Sequence, residues 1–379
     1  MSRDPRNLPP LKVALVGCGQ IADAHLGEIA RIPDAKVIAV CDRHRDLAAQ
    51  AAMRFNIPAI FDDLGDMLRT AKPDVVHVAT PAHTHFAVAR DCLLAGRHVY
   101  VEKPFTQTTA EAETLVALAA EHNRKLCVGH DQLFDPAWLA LRDRIARGEI
   151  GDVTHVESVL GYPISGPFGS QVAADPNHWV RKLPGGLFQN TISHPLYRIT
   201  EFLDDAEPQV AAAWYSRAPY DFPTDLWVQL RGERVSASLM FCSTITSQRI
   251  SRIYGSGGAL EVDLDAQVIR RIGPAKAPGV FAKLLTPWRQ KRESGRNFWR
   301  NFKRFLKADI HYFAGLRTLS ARFYNAIQNN TDPPIAAAEI VRVTRLMDRI
   351  FDAARANSGP VVVPRPATRA IPQLAEVAT

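Results

Sequence analysis

Cysteine is scarce in this sequence and does not occur in pairs. The five residues, Cys18, Cys41, Cys92, Cys127 and Cys242, are odd in number and lie outside the spacings of zinc sites and disulfide frameworks. We therefore expect reduced thiols that pack as small apolar groups. The twelve histidines show no metal-ligand spacing either, so we predict no metal site.

Long apolar runs are also missing. No stretch approaches the roughly 20 apolar residues that cross a bilayer, and the opening MSRDPRNLPP has no apolar core of a signal peptide. A cytoplasmic location is the expectation. The sequence has no Gly-Lys-Ser/Thr phosphate loop and no groove-reading motif, which argues against ATP and nucleic acid as partners.

The sequence is long, and its first third alternates between predicted strands and predicted helices. Its 379 residues exceed one ordinary hydrophobic core, and strands such as LKVALVGC and KVIAVCD alternate with helical patterns in the first third. This alternation predicts a doubly wound parallel α/β sheet, a Rossmann domain, over residues 11–130. Strands with few helices follow residue 152, so residues 131–363 are expected to form an α+β domain with a large, mostly antiparallel sheet. Residues 1–10 and 364–379 read as flexible ends.

The net charge of +7 is concentrated in one arm, residues 286–325, which holds ten basic and two acidic residues. Phe298, Trp299 and Phe302 recur there at helical spacing, and Pro287 is expected to bar an earlier helix start. Three interpretations stay open for this basic arm. It is a helix packed on the sheet or a neighbouring subunit, a contact for an anionic substrate such as a nucleotide sugar, or an attachment to an anionic membrane surface.

A dinucleotide fingerprint lies in VALVGCGQIADAH, directly after a predicted strand. Gly17 permits the tight turn, Gly19 lets the backbone approach a pyrophosphate, and Ala22 allows a helix to pack closely on the strand. Asp42 ends the second strand, where a carboxylate accepts hydrogen bonds from the adenosine ribose. This favours NAD, although the neighbouring Arg43 leaves NADP open.

Two further loops are expected at the carboxyl ends of strands, where open α/β sheets bind ligands. They are ATPAHTH, residues 79–85, and EKPF, residues 102–105. Pro81 and Pro104 stiffen these turns. Lys103, held by the charge of Glu102, is predicted to point at a substrate oxygen.

The stretch GGLFQNTISHPLYRI, residues 185–199, places Asn190 and His194 one helical turn apart. Removing a hydride from a secondary alcohol requires removal of the hydroxyl proton, and an imidazole is suited to accept it at neutral pH. Pro195 removes an amide donor and is expected to push His194 away from ideal helical geometry. The alternative is a structural histidine whose neighbour Asn190 satisfies backbone groups freed by Pro195.

Together GCGQIA, ATPAHTH, EKP, the glycine pair before NTISH, and GSGGALEVDL at residues 255–264 resemble the Gfo/Idh/MocA family, the relatives of glucose-fructose oxidoreductase and inositol dehydrogenase. The resemblance implies a Rossmann domain and a C-terminal α/β domain whose sheet covers the nicotinamide and often mediates oligomerisation. It also implies NAD(P)-dependent chemistry on sugars, polyols and their derivatives, and a homo-oligomer, dimer or tetramer.

The usual catalytic set of the family resembles Lys103, an aspartate one turn before the histidine, and His194, but here the aspartate position carries Asn190. An amide orients a hydroxyl but cannot take a proton. His194 therefore works without carboxylate assistance, or a different acid supplies it.

The sequence and the resemblance together predict two sets of binding residues. The cofactor set is Gly17, Gly19, Gln20, Ile21, Asp42, Arg43, Thr80, Pro81, His85, Glu102 and Lys103. The substrate set is Lys103, Trp179, Arg181, Asn190 and His194, with Lys182, His130 and Asp131 as further candidates at the border of the cleft.

The function expected from these residues is hydride transfer between a nicotinamide cofactor and a hydroxyl or ketone of a sugar, polyol or nucleotide sugar. The alternative is a cofactor-binding regulatory or assembly protein, with catalysis weakened by Asn190, that docks through its basic arm on a membrane or a partner.

Overall fold

The computed structural model describes residues 9–273, 275, 277–357 and 362–363. The predicted flexible ends fall largely outside them, at residues 1–8 and 364–379. In the N-terminal half, six parallel strands form a sheet in the order β3-β2-β1-β4-β5-β6. These strands are β1 (Leu11–Val16), β2 (Ala35–Cys41), β3 (Ala59–Phe61), β4 (Val75–Val78), β5 (His98–Val101) and β6 (Leu126–Val128). The predicted doubly wound Rossmann sheet is confirmed.

The crossover helices of this sheet are α1 (Ala22–Ile29), α2 (Arg45–Phe55), α3 (Leu64–Thr70), α4 (His85–Leu94) and α5 (Thr109–Glu121). Two of these helices have a short polar side chain as the N-cap. Asp63 accepts from the amide of Asp66 at the start of α3, and Thr108 accepts from the amide of Glu111 at the start of α5. Since all six strands are parallel, the loops that follow β1, β4 and β5 meet at one edge of the sheet.

Within the described residues the second sheet has eight strands in the order β13-β12-β11-β7-β10-β9-β8-β14, and only β7–β10 and β8–β14 pair in parallel there. Its strands are β7 (Val153–Gly161), β8 (Gln209–Arg217), β9 (Asp225–Arg231), β10 (Ser236–Cys242), β11 (Gln248–Gly255), β12 (Gly258–Asp263), β13 (Val268–Ile272) and β14 (Val362–Val363). The prediction of a mostly antiparallel sheet is confirmed.

Seven helices accompany this sheet in the described part of the chain. They are α6 (Pro136–Ala146), α7 (Pro167–Ala174), α8 (Gly186–Thr191), α9 (Ser193–Thr200), α10 (Val280–Phe305), α11 (Ala314–Asn329) and α12 (Ala337–Asn357). One apolar cluster runs from the Rossmann sheet into the second sheet, so the two halves share a core. The five cysteines are buried free thiols, as expected. No helix within the described residues is long and apolar enough to cross a membrane.

The basic arm differs from its prediction in two respects. α10 begins at Val280 and contains Pro287, so the expectation that Pro287 bars an earlier start is wrong. The carbonyl of Lys283, which the missing amide would have bonded, lies in an exposed turn and can be hydrated. The arm is also not one helix, because Ala308 adopts a left-handed conformation, φ 49°, between α10 and α11.

α11 approaches the end of the Rossmann sheet through a glycine. A Cβ atom at Gly315 would lie 2.0 Å from the carbonyl oxygen of Asp131 and 3.0 Å from the amide nitrogen of Asp135. Only a residue without a side chain fits this contact. Gly315 therefore sets the position of the segment that carries His130 and Asp131.

We predict that Gly315→Ala lowers the free energy of unfolding by about 1–3 kcal/mol, because the backbone of residues 131–135 must shift to accept the methyl group. Gly295→Ala is the matched control, since this helical glycine has no atom within 4 Å of its Cβ position. It should instead raise the free energy of unfolding by up to about 1 kcal/mol. Urea denaturation measures both, and equal effects would contradict the assigned contact.

Candidate functional site

The loop after β1 has the geometry that a dinucleotide phosphate requires. Gly17 has a φ of 96°, and a Cβ atom there would lie 2.6 Å from the backbone of Ala79 and Thr80. Gly19 is the opposite case, because no atom lies within 4 Å of its Cβ position. Gln20 and Ile21 form the turn into α1. The loop is thus tight where it meets the sheet and open where a pyrophosphate would lie.

Asp42 holds this loop from the end of β2. One carboxylate oxygen accepts from the amide of Cys18 at 2.8 Å, and the other accepts from the amide of His44 at 2.8 Å. Each oxygen keeps a further lone pair for a ribose hydroxyl. Arg43 is exposed and donates to the His44 ring at 3.3 Å. These residues fit an adenine dinucleotide.

His85 joins the two remaining loops. Its ring nitrogens contact the carbonyl oxygens of Pro104 and Thr80, each at 2.8 Å, and its side chain is buried. Burial lowers the pKa of His85 against the opposing effect of these carbonyl groups. Both nitrogens face the protein backbone, so His85 ties the two loops together. Pro81, at the tip of the first loop, is exposed.

Lys103 reaches from the Rossmann rim into the second domain. Its Nζ atom donates to the main-chain oxygen of Asn190 at 3.3 Å. Burial lowers the pKa of His194 well below its ordinary value, and the nearby charge of Lys103 lowers it further. The structure therefore brings together Lys103, Asn190 and His194, and the imidazole is neutral.

The helix is interrupted between α8 and α9, close to His194. The two helices are separated at Ile192, two residues before His194. Pro195 lacks the amide that would bond the carbonyl of Thr191 four residues earlier, which accounts for a break at this point. Ile192 itself keeps α-helical dihedrals, φ −74° and ψ −11°, and His194 lies within α9, so the expected displacement of His194 from helical geometry stays a prediction.

A carboxylate does lie beside His194, but it comes from another part of the chain. The Nδ1 atom of His194 lies 2.7 Å from the hydroxyl of Tyr197, and that hydroxyl lies 3.3 Å from Oδ1 of Asp131. The direct distance from His194 Nδ1 to Asp131 Oδ1 is 3.9 Å. Tyr197 therefore bridges the imidazole and the carboxyl group.

The environment of Asp131 shifts the pKa of its carboxyl group towards neutrality. Burial and, to a smaller extent, the negative charge of Glu102 raise its pKa from 3.8 to about 7, against the opposing charges of Arg249 and Lys103. His130 stacks on Tyr197 with 4.4 Å between ring centroids, and burial lowers the pKa of His130 to about 3. His130 is therefore a neutral packing partner.

Asp131 is predicted from the sequence only as a residue at the border of the cleft, and Tyr197 is not among the predicted site residues. The spacing of three between His194 and Tyr197 on one helix face was the available signal. No local pattern connects Asp131 to either residue, since 63 positions separate it from His194.

Of the other predicted substrate residues, some lie near the cleft and some do not. The Trp179 ring lies 5.8 Å from that of His83, so it covers the ATPAHTH loop. Arg181 donates to Asp221 at 2.7 Å and lies over the Phe222 ring at 4.6 Å. Lys182 is exposed. Trp179 faces the cleft loop, whereas Arg181 is held by partners within its own domain.

A buried hydrogen-bond chain supports Glu102 from behind. Glu102 Oε1 lies 3.0 Å from His25 Nε2, His25 Nδ1 lies 3.1 Å from His77 Nδ1, and His77 Nε2 lies 2.8 Å from the Tyr324 hydroxyl. Every contact is satisfied when Tyr324 donates to His77, His77 donates to His25, and His25 donates to Glu102.

The carboxylate at the end of this chain is ionised. Burial acts to raise the pKa of Glu102, but the hydrogen bond from His25 and the charge of Lys103 lower it overall. Its second oxygen accepts from the amide of Lys103 at 3.1 Å. The chain thereby fixes the backbone that carries Lys103.

We predict that Tyr324→Phe lowers the free energy of unfolding by about 1–3 kcal/mol, because it leaves the buried Nε2 atom of His77 without a donor. Tyr100→Phe is the matched control. Tyr100 is equally buried and stacks on His77 at 4.5 Å, but its hydroxyl has no hydrogen-bond partner among the described residues. Its replacement should be neutral or stabilising in the same denaturation experiment. A larger loss in Tyr100→Phe than in Tyr324→Phe would refute the chain.

Comparison with known proteins agrees with this architecture. The chain matches the profile described as "Oxidoreductase family, NAD-binding Rossmann fold" over residues 11–130 and the "GFO/IDH/MocA C-terminal domain" over residues 138–261. It is 29% identical to 4-carboxy-2-hydroxymuconate-6-semialdehyde dehydrogenase from Sphingobium sp. over 37% of this chain and 44% of that protein. It is 32% identical to D-glucoside 3-dehydrogenase from Escherichia coli over 38% of this chain and 41% of that protein.

These matches span less than half the length of both curated relatives. A solved structure with a similar fold superposes on a larger part of the chain. The WlbA dehydrogenase from Bordetella pertussis, solved with NADH and UDP-GlcNAcA, superposes with a TM-score of 0.74 at 20% identity, over 92% of this chain and 97% of that one. With both of its domains matched in sequence and in fold, the chain belongs to the GFO/IDH/MocA family of NAD-binding oxidoreductases.

Proposed function

We propose that the protein is an NAD-dependent oxidoreductase that acts on a CH–OH group, or the corresponding ketone, of a sugar-like substrate. The observation that carries this proposal is the convergence of Lys103 from the Rossmann rim with His194, Tyr197 and Asp131 at the junction of the two domains. The names of the relatives support a dehydrogenase acting on sugar derivatives. NADP is the second candidate cofactor, because the exposed Arg43 stands next to Asp42.

NAD, held by the Gly17–Gly19 loop and Asp42, would accept or supply the hydride. Lys103 binds and polarises the reacting oxygen through its ammonium group. His194 takes the hydroxyl proton at Nε2 while its Nδ1–H donates to the Tyr197 oxygen. The Tyr197 O–H in turn donates to the Asp131 carboxylate. A proton accepted at His194 can then pass through Tyr197 to Asp131.

The arrangement assigns a different task to Asn190. Its main-chain oxygen accepts from Lys103 and aims the ammonium group. Its side-chain amide is available to position a neighbouring substrate hydroxyl. The proton-accepting role that an aspartate would have at this position falls to Asp131. Reduced catalysis, the premise of the alternative of a binding protein, therefore does not follow from the Asn190 change.

The proposal is tested with purified protein, NAD or NADP, and a panel of sugars, polyols and nucleotide sugars. Hydride transfer is monitored at the nicotinamide absorbance band. Lys103→Ala and His194→Ala should each abolish transfer while cofactor binding, measured by protein fluorescence, persists in His194→Ala. A panel without turnover by the wild-type protein, or full activity in both variants, would reject the proposal.

We predict that kcat/KM for oxidation rises with pH through a limb near pH 7 that belongs to Asp131, since His194 stays neutral over this range. Asp131→Asn should remove this limb and lower kcat roughly 100-fold, the lower bound for loss of general-base assistance. Tyr197→Phe should lower kcat as well, because it interrupts the path while leaving the carboxylate. If the limb survived in Asp131→Asn, the assignment to Asp131 would be wrong.

Asp131→Asn, which is expected to lower kcat, is expected to raise stability at high pH. Because the folded-state pKa of Asp131 is raised from 3.8 to about 7, its contribution to stability is present below about pH 4 and is lost as pH rises towards 7 and above. We predict that Asp131→Asn is more stable than the wild type at pH 8 and that the difference narrows at pH 4. Thermal melting at the two pH values measures this.

A further inference from the structure

α10 contacts the rest of the protein through its polar side. Glu293 accepts from Nη2 of Arg144 at 2.8 Å and from the amide of Arg271 at 2.9 Å. Asn297 donates to the carbonyl of Ile269 at 2.8 Å. Glu293 and Asn297 are the two residues of this helix that are buried. The helix is therefore attached by hydrogen bonds and an ion pair, not by an apolar stripe.

The apolar side of α10 faces away from the protein. Large side chains there are between 40% and 74% exposed, including Trp288 at 60% and Trp299 at 58%. The full set is Val280, Phe281, Leu284, Leu285, Trp288, Phe298, Trp299, Phe302 and Phe305, followed by Leu306. We call these residues the outer face of α10. Over 26 residues the helix is about 39 Å long. An apolar surface of this length needs a partner that removes it from water.

The charges around the outer face have one sign. Glu293 is the only acidic residue of α10 and it faces inward. The exposed cations are Lys283, Lys291, Arg292, Arg296 and Lys303. Arg292 also lies over the Trp288 ring at 5.8 Å. The occupant of this face must accept apolar rings and carry negative charge beside them.

We propose that the outer face of α10 docks on an anionic lipid bilayer, with the helix lying in the plane of the interface. Tryptophan and phenylalanine bordered by lysine and arginine are the side chains that bind this region of a bilayer. Anionic headgroups match the cations, and acyl chains match the rings. A second copy of the chain fits less well, because two outer faces brought together would oppose cations to cations with no carboxylate between them.

Sedimentation of the full-length protein with large unilamellar vesicles tests this proposal. Vesicles of phosphatidylcholine with 30% phosphatidylglycerol should bind the protein, and pure phosphatidylcholine should not. Raising the salt concentration should weaken binding. Lys291→Gln, Arg292→Gln and Arg296→Gln combined should lower the partition constant about 100-fold, as expected for three interfacial cations.

A matched control removes three cations elsewhere. Lys36→Gln, Lys72→Gln and Arg231→Gln combined change the net charge equally at exposed positions on other elements, and binding should be retained. Trp288→Ser with Trp299→Ser should also weaken binding, and circular dichroism and thermal melting establish that each variant is folded.

The outcomes separate the possible occupants. Loss of binding in the arm variants together with retention in the control supports the proposal. Equal binding to neutral and anionic vesicles, equal loss in the control, or no binding at all overturns it. So does a dimer in sedimentation velocity that dissociates on changing Trp288 and Trp299 while vesicles remain unbound, because the occupant is then a second copy.

Discussion

The ionised carboxylate of Glu102, largely buried at the rim of the Rossmann sheet, is the constraint on which the site depends. A carboxylate can remain charged in such a place only with hydrogen-bond donors and positive charge beside it. Here the donors are His25 and the amide of Lys103, and His77 and Tyr324 extend the support into α11. The same charge acts on its surroundings, since it helps to raise the pKa of Asp131 to about 7. One buried charge thus orients Lys103 and tunes the second acid of the site.

This coupling explains how the site is arranged without an aspartate at position 190. Basicity next to His194 requires a carboxylate within reach of its Nδ1 atom, and the end of the Rossmann domain supplies one through Tyr197. The route is longer by one hydroxyl than a direct contact, so its geometry depends on how closely the segment at residue 131 approaches α9 and α11. The glycine contact at Gly315 is therefore relevant to the chemistry as well as to the packing.

The sequence was sufficient for features that depend on neighbouring residues. The alternation of strands and helices and the Gly17 and Gly19 loop predicted the Rossmann sheet. The run of strands with few helices between them predicted the antiparallel second sheet. Both patterns arise from local periodicity. The pairing of Lys103 with the 190–194 segment came from resemblance and chemistry. The Tyr197 bridge to Asp131 was out of reach, because it depends on the relative placement of two domains. The path of α10 through Pro287 was also missed, since tertiary contacts of Glu293 and Asn297 outweigh a local preference.

Periodicity identifies the two sides of an amphipathic helix but not which side meets the protein. For α10 the usual assumption, apolar side inward, fails because its inner positions carry Glu293 and Asn297, which bond to Arg144 and to the backbone of β13. A helix held in this way leaves its rings in water and gains little from its own apolar residues. Removing these rings from water would lower the free energy further. The segment after α10 returns to the cleft, where the Tyr312 ring lies 3.9 Å from Arg249, and Arg249 is one of the charges that lower the pKa of Asp131. The segment after α10 is therefore linked, through Tyr312 and Arg249, to the charges that set the pKa of the proposed proton acceptor.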